Sequence, residues 1–116
     1  HAPSIDLASI GSGLENHDLF PKRANISVAQ VLSPRSLRVR VWERGVGITA
    51  ACGTAACAVA VASARRGLTE RSVEIELDGG SLQILWRDDG HVLMTGPVAT
   101  SFAGILDCAL LNGRAS

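Results

Sequence analysis

The stretch from Ala55 to Ala62, reading AACAVAVA, carries no polar side chain. The pattern predicts a helix over about Gly53 to Arg66. Arg65 and Arg66 suit the negative end of a helix dipole, and Gly67 suits a left-handed cap. A surface helix shows an apolar stripe and a polar face, whereas one that is apolar all round is buried all round. These side chains are also small, so strands can come close to the axis. A chain with this segment is expected to wrap a sheet around a central helix.

The rest of the sequence supplies the strands. SLRVRVWE has strict period two, with Leu37, Val39 and Val41 on one face and Arg38, Arg40 and Trp42 on the other. Asn25 to Val31 alternates as well, and LSPRS between the two runs reads as the turn of a hairpin. After the helix come SVEIEL, SLQILW and HVLMT, separated by DGG and RDDG; Asp-Gly between alternating runs is a strong hairpin signal. Gly96 and Pro97 interrupt, and VATSFAGIL is expected as a last strand. Towards the start, Ser4 or Asp6 caps a helix running to about Glu15, against the low propensity of Gly11 and Gly13. NHDLFPKRAN is a loop broken at Pro21. The class is α+β, in one domain over residues 1–116.

Composition narrows the function. Nearly half of the 116 residues are apolar, enough for one modest core. Net charge is zero and no basic stripe interleaves with aromatics, which argues against nucleic acid. No apolar run approaches the ~18 residues of a membrane span. Three cysteines are an odd number without metal-ligand spacing, so neither a disulfide scaffold nor a metal site is expected. A reducing, cytoplasmic setting with one special cysteine fits better. The chain opens on His1, without methionine or signal peptide, and is expected to be a piece of a longer protein.

Cys52 stands in a glycine-rich turn where the helix begins, followed by Gly53 and Thr54. A free thiol has a pKa of about 8.5. Helix N-termini present unpaired N–H groups and a positive dipole end, and cysteines placed there ionise more readily. The same N–H groups can hold a carboxylate. Gly53 lets a ligand approach the backbone, and Thr54 adds a hydroxyl. Upstream, Glu43 supplies an acid/base group and Arg44 a planar carboxylate clamp. Plainer readings compete. A cysteine among small residues is commonly a buried hydrophobe, the expectation for Cys57 and Cys108 and an open alternative for Cys52. Glu43 and Arg44 also read as a strand-end ion pair, and Asn25 as a turn residue. His17 and His91 read as solvated, Trp42 and Trp86 as core.

The run ERGVGITAACGTAAC, Glu43 to Cys57, resembles the second catalytic motif of diaminopimelate epimerases, approximately E-R-G-x-G-x-T-x-x-C-G-[ST]-[GA]-A-C. LENHDLFPKRANIS and LDGGSLQILWRDDGHVLMTGPVATSFAGIL resemble further segments of that family, so the likeness covers essentially the whole chain. It implies a β-barrel of mostly antiparallel strands around a central apolar helix, two such domains forming one enzyme. It implies inversion of LL-2,6-diaminopimelate to the meso form without pyridoxal or any other cofactor, in the bacterial cytoplasm, on the way to lysine and peptidoglycan precursors. Two cysteines face each other across the substrate; one removes the α-proton and the other protonates the opposite face.

Carried to this chain, the resemblance makes Cys52 one of that pair and Glu43 a catalytic group that supports proton transfer and also lines the substrate. Gly53 and Thr54 hold the α-carboxylate; Asn25 and Arg44 hold the distal amino-acid end. Ile48 and Ala55 depart from the common residues, Glu and Gly, at positions without direct chemistry. The first-domain Cys-Gly-Asn motif and the Asn-Pro-His segment are absent, and His1, followed by Ala-Pro-Ser, does not match that histidine. The chain thus resembles most of the C-terminal half of a two-domain epimerase. It is expected to be inactive alone, to need the missing N-terminal domain, and to form a homo-oligomer through uncovered edges. Two other readings are a different cofactor-independent amino-acid racemase of this fold and a non-catalytic binding or assembly module.

Overall fold

The structure is a computed structural model that describes residues 2–111; His1 lies outside them. After a short 3-10 turn at Ala2–Ser4, helix α1 spans Leu7–Glu15. Asp6 caps it, its carboxylate accepting from the Ser9 N–H at 3.2 Å. Leu7, Gly11 and Glu15, spaced by four, form its buried face.

Strands β1 (Ile26–Ser33) and β2 (Ser36–Glu43) make the expected antiparallel hairpin. Leu37, Val39 and Val41 are at most 1% exposed, so the period-two reading of β2 holds. Each such burial contributes about 1.5–3 kcal/mol. The other edge of β2 is divided. Its start, Ser36–Arg38, pairs in parallel with β4 (Ser72–Leu77), and its end, Val41–Glu43, pairs antiparallel with the short β3 (Gly47–Thr49). Helix α2, Gly53–Arg65, bridges β3 and β4, and Gly67 takes the left-handed φ of 70° that ends it. β5 (Gly80–Trp86) and β6 (Val92–Thr95) complete the meander through the expected Asp-Gly turns.

The result is a mixed α+β fold. Its six-stranded sheet runs β1-β2-β4-β5-β6 with β3 beside β2, and is antiparallel except for β2–β4. The core lies between one sheet face and α2, where Ala55, Ala56, Val59 and Ala60 meet Leu37, Val39, Val41, Val73, Ile75, Leu77 and Ile84. α1 packs on β1, β2 and β3.

Three expectations are corrected. The sheet is not closed: β1 and β6 are its two ends, so no barrel forms among the described residues. α2 is therefore not buried all round; Thr54, Ala58 and Ala62 are exposed because an open sheet covers one side only. Beside it, Ser27, Ala29 and Val31 of β1 and Val59, Ala62 and Ser63 of α2 line a groove of ≈ 300 Å³. VATSFAGIL forms no strand either. It finds no ladder partner, and Val98, Phe102 and Ile105 are 86–100% exposed. A short helix, α3 (Cys108–Leu111), follows.

Candidate active site

Cys52 is the N-cap of α2, with extended φ/ψ of −148° and 108°. Its carbonyl accepts from the Ala56 N–H at 3.0 Å, the first turn of the helix. Its thiol makes no capping bond, but lies 3.4 Å from the Thr54 hydroxyl. The first N–H groups of an α-helix have no acceptor within it, so the donors beside Cys52, Gly53 and Thr54 are available to an anion. Gly53 is half-buried beneath β6; a Cβ there would stand 2.9 Å from the Met94 sulfur. The approach to Cys52 is braced by the Gly79 N–H, which donates to the Ala50 carbonyl at 2.7 Å.

Glu43 ends β2. By period two it shares the face of Leu37, Val39 and Val41, the face that α2 covers. Its Oε1 accepts from the Thr49 hydroxyl at 2.6 Å. Thr49 precedes Cys52 by three residues, a span of at most about 11 Å. Arg44 and Asn25 meet as well: Asn25 Oδ1 accepts the Arg44 backbone N–H at 2.8 Å, and the Arg44 guanidinium donates to the Lys22 carbonyl at 3.0 Å. The ion-pair reading of Glu43 and Arg44 is not met, since among the described residues neither joins a salt bridge. Asn25 is indeed a turn-side residue, and its side chain fixes the Arg44 turn.

Glu15, which the sequence did not single out, organises this corner. It is 5% exposed. Oε2 accepts from the Trp42 indole N–H at 2.7 Å; Oε1 accepts from the Gly45 N–H at 2.9 Å and from Arg23 at 3.1 Å. Its carboxyl is held below the usual range, chiefly by the Trp42 bond and against the opposing effect of burial, with help from Gly45, Arg23 and Arg44. One signal for it was legible: a carboxylate on the Leu7–Gly11 face of an amphipathic helix needs partners.

The remaining candidates sort plainly. Cys57 is half-buried and its thiol is pushed up by burial, as a core cysteine should be. Cys108 is exposed, against expectation, because the chain after β6 leaves the sheet. His17 and His91 are exposed. Trp42 and Trp86, expected in the core, are half-buried outside it: Trp42 lies against Gly11 of α1 and Trp86 under Arg71. A groove of ≈ 790 Å³ lies along Glu70–Ser72 and Leu85–Asp89 and contains none of the site residues. There Arg71 stacks 3.8 Å from the Trp86 ring centre and spends its donors on the Trp86 and Arg87 carbonyls.

The structure thus sets an open, mostly antiparallel sheet on a small-residue helix, with a cysteine at the helix N-cap and Asn25, Glu43 and Arg44 around the turn that ends β2. The family model described as diaminopimelate epimerase matches residues 3–101. The diaminopimelate epimerase of Rhodospirillum centenum is 63% identical over 112 residues, covering 97% of this chain and 38% of that protein. The enzyme of the same name from Chelativorans sp. is 58% identical over 106 residues, 91% of this chain and 36% of that protein. Among solved structures, a Bacillus anthracis phenazine biosynthesis protein of the PhzF family aligns with TM-score 0.48 and 24% identity over 62% of this chain and 25% of that one. The chain belongs to the diaminopimelate epimerase family, and spans little more than a third of the length of the curated relatives it matches.

Proposed function

We propose that this chain is most of the C-terminal domain of an epimerase that interconverts LL- and meso-2,6-diaminopimelate without a cofactor, and that it supplies one of two catalytic cysteines. The observation that carries the reading is Cys52 at the N-cap of α2, its thiol free of any capping bond. In this reading the substrate α-carboxylate sits on the N–H groups at Gly53 and Thr54, which stabilise the negative charge that develops when the α-proton leaves. Cys52 takes or gives the α-proton on one face; a second thiol, outside this chain, does the reverse on the other. One C–H bond breaks and one forms, and the configuration inverts. Glu43, oriented by Thr49, supports proton transfer and lines the substrate. Arg44 and Asn25, already joined to each other, hold the distal amino-acid end.

The partner is a first domain carrying that second thiol, and the open ends of the sheet at β1 and β6 are where the barrel closes over α2 in the whole protein. Exposed strand edges also favour pairing between copies, so the protein is proposed to be a homo-oligomer. The setting proposed is the cytoplasm; among the described residues no helix is long and apolar enough to cross a membrane. The 116-residue chain alone has half of the proton relay and is inactive.

The test is solvent-deuterium exchange at the α-carbon of diaminopimelate. The whole-length protein should exchange it and invert the centre, and Cys52→Ser should abolish the inversion while leaving the fold intact. The 116-residue chain should show no exchange above buffer. Exchange by the short chain at the whole protein's rate would defeat the two-cysteine mechanism.

A further inference from the structure

Glu15 reaches the site only through other residues, yet it grips the chain on both sides of Glu43 and Arg44. On α1 it stands one turn past Gly11, on the same face. The Trp42 ring lies against Gly11, where any Cβ would run into the indole. That seat aims the indole N–H at Glu15 Oε2. The other oxygen takes the Gly45 N–H. Trp42 immediately precedes Glu43, and Gly45 immediately follows Arg44. The turn that leads from β2 into β3 includes left-handed residues, Gly45 at φ 75° and Gly47 at φ 97°. Glycine makes such a turn possible but does not hold it in one shape. The buried carboxylate does, together with the Asn25 bond to the Arg44 N–H.

We infer that Glu15 is a positioning residue: it holds the Glu43–Arg44 turn in the geometry that substrate binding needs. The inference rests on the function proposed above. A glutamine cannot stand in for it. Three donors converge on the two carboxylate oxygens, from Trp42, Gly45 and Arg23. An amide has one oxygen, and its NH₂ must face a donor whichever way it turns.

The experiment uses the whole-length protein with Glu15→Gln, Glu15→Asp and Trp42→Phe. Hydrogen exchange is read in peptides over residues 43–49, with the β4–β5 hairpin as internal reference, alongside KM and kcat for diaminopimelate. Glu15→Gln is expected to speed exchange over 43–49 by about tenfold or more, leave β4–β5 unchanged, and raise KM more than it lowers kcat, because Arg44 holds the distal end. Glu15→Asp keeps the charge and should recover part of both effects. Trp42→Phe removes one of the three donors and should give a smaller shift of the same kind; it carries the test if Glu15→Gln does not fold. Unchanged exchange over 43–49, or a uniform rise in both regions with KM unaltered, would overturn the proposal. A wild-type protein that fails to turn over diaminopimelate defeats the functional reading instead, and exchange alone then decides whether Glu15 holds the turn.

Discussion

The Thr49 hydroxyl donates a 2.6 Å hydrogen bond to the Glu43 carboxylate. The register explains it: Val41 faces Thr49 and Glu43 faces Gly47, so Thr49 and Glu43 are diagonal neighbours on one sheet face. With glycine opposite it, Glu43 has no side chain across the ladder and leans to Thr49 instead.

Removing that donor should therefore disturb Glu43 more than the fold. Thr49→Val keeps the branched shape and leaves a half-buried carboxylate without its short partner. A stability loss of about 1 kcal/mol is expected, with a fall in kcat of about tenfold or more in the whole-length protein, equivalent to ~1.4 kcal/mol of barrier. Thr49→Ser should recover most of the activity. Steady-state kinetics beside thermal melts separates the two effects; equal kcat in Thr49→Val and wild type would show that the hydroxyl does not serve Glu43.

Gly53→Ala should separate stability from function in the opposite sense. The new methyl would stand 2.9 and 3.0 Å from the end of the Met94 side chain, which is flexible and gives way cheaply. Alanine also lowers the backbone entropy of the unfolded chain, a gain of about 0.4–1 kcal/mol. The melting temperature should hold or rise slightly. The methyl also stands where the proposed carboxylate approaches the helix N–H groups, so KM for diaminopimelate should rise at least about tenfold. A variant with unchanged KM would place the carboxylate elsewhere.

The three cysteines should react in an order set by exposure and burial. Brief alkylation with peptide mapping is expected to label Cys108 and Cys52 well before Cys57, the one thiol pushed up by burial. That shift also has a sign in stability. The unfolded chain ionises Cys57 near the ordinary value of 9.0 while the folded chain holds the proton to higher pH. Stability from this group is therefore complete below pH 9 and is lost as pH rises through the folded value. Cys57→Ala should flatten the decline of the urea midpoint between about pH 8.5 and 10. Labelling of Cys57 at the rate of Cys108 would mean that α2 opens readily.

Much of this was legible because it is local. The cap at Asp6, the alternation of Leu37, Val39 and Val41, the Asp-Gly turns and the left-handed Gly67 are each decided by a few neighbouring residues, and the structure follows them. So is the position of Cys52 at a helix start. What was not legible depends on distant partners. The small-residue surface of α2 suits burial on every side, but Ala58 and Ala62 are covered only if something reaches across the open sheet. VATSFAGIL has strand-like residues and no strand beside it. Glu15 reads as an ordinary helix-end carboxylate until Trp42, Gly45 and Arg23 converge on it from 8 to 30 residues away. The Glu43–Thr49 bond needs the register of a three-residue strand, too short to announce itself.

Acid should expose how much of the fold depends on Glu15 being charged. Its folded carboxyl titrates below the ordinary 4.5, with the Trp42 hydrogen bond as the leading cause and burial opposing. As pH falls, the unfolded chain takes up this proton first and so binds more protons than the folded one. The contribution is thus fully present above pH 4.5 and disappears as pH drops through the lower folded value. Glu15→Gln has no such proton to bind. The gap in urea midpoint between wild type and Glu15→Gln should be widest at neutral pH, begin to narrow below pH 4.5, and be smallest near pH 3. Trp42 emission supplies a second reading of the same event, because the indole N–H loses its anionic acceptor when Glu15 protonates. A gap of constant size from pH 7 to pH 3 would mean that Glu15 stabilises the turn by shape alone and that its charge contributes nothing.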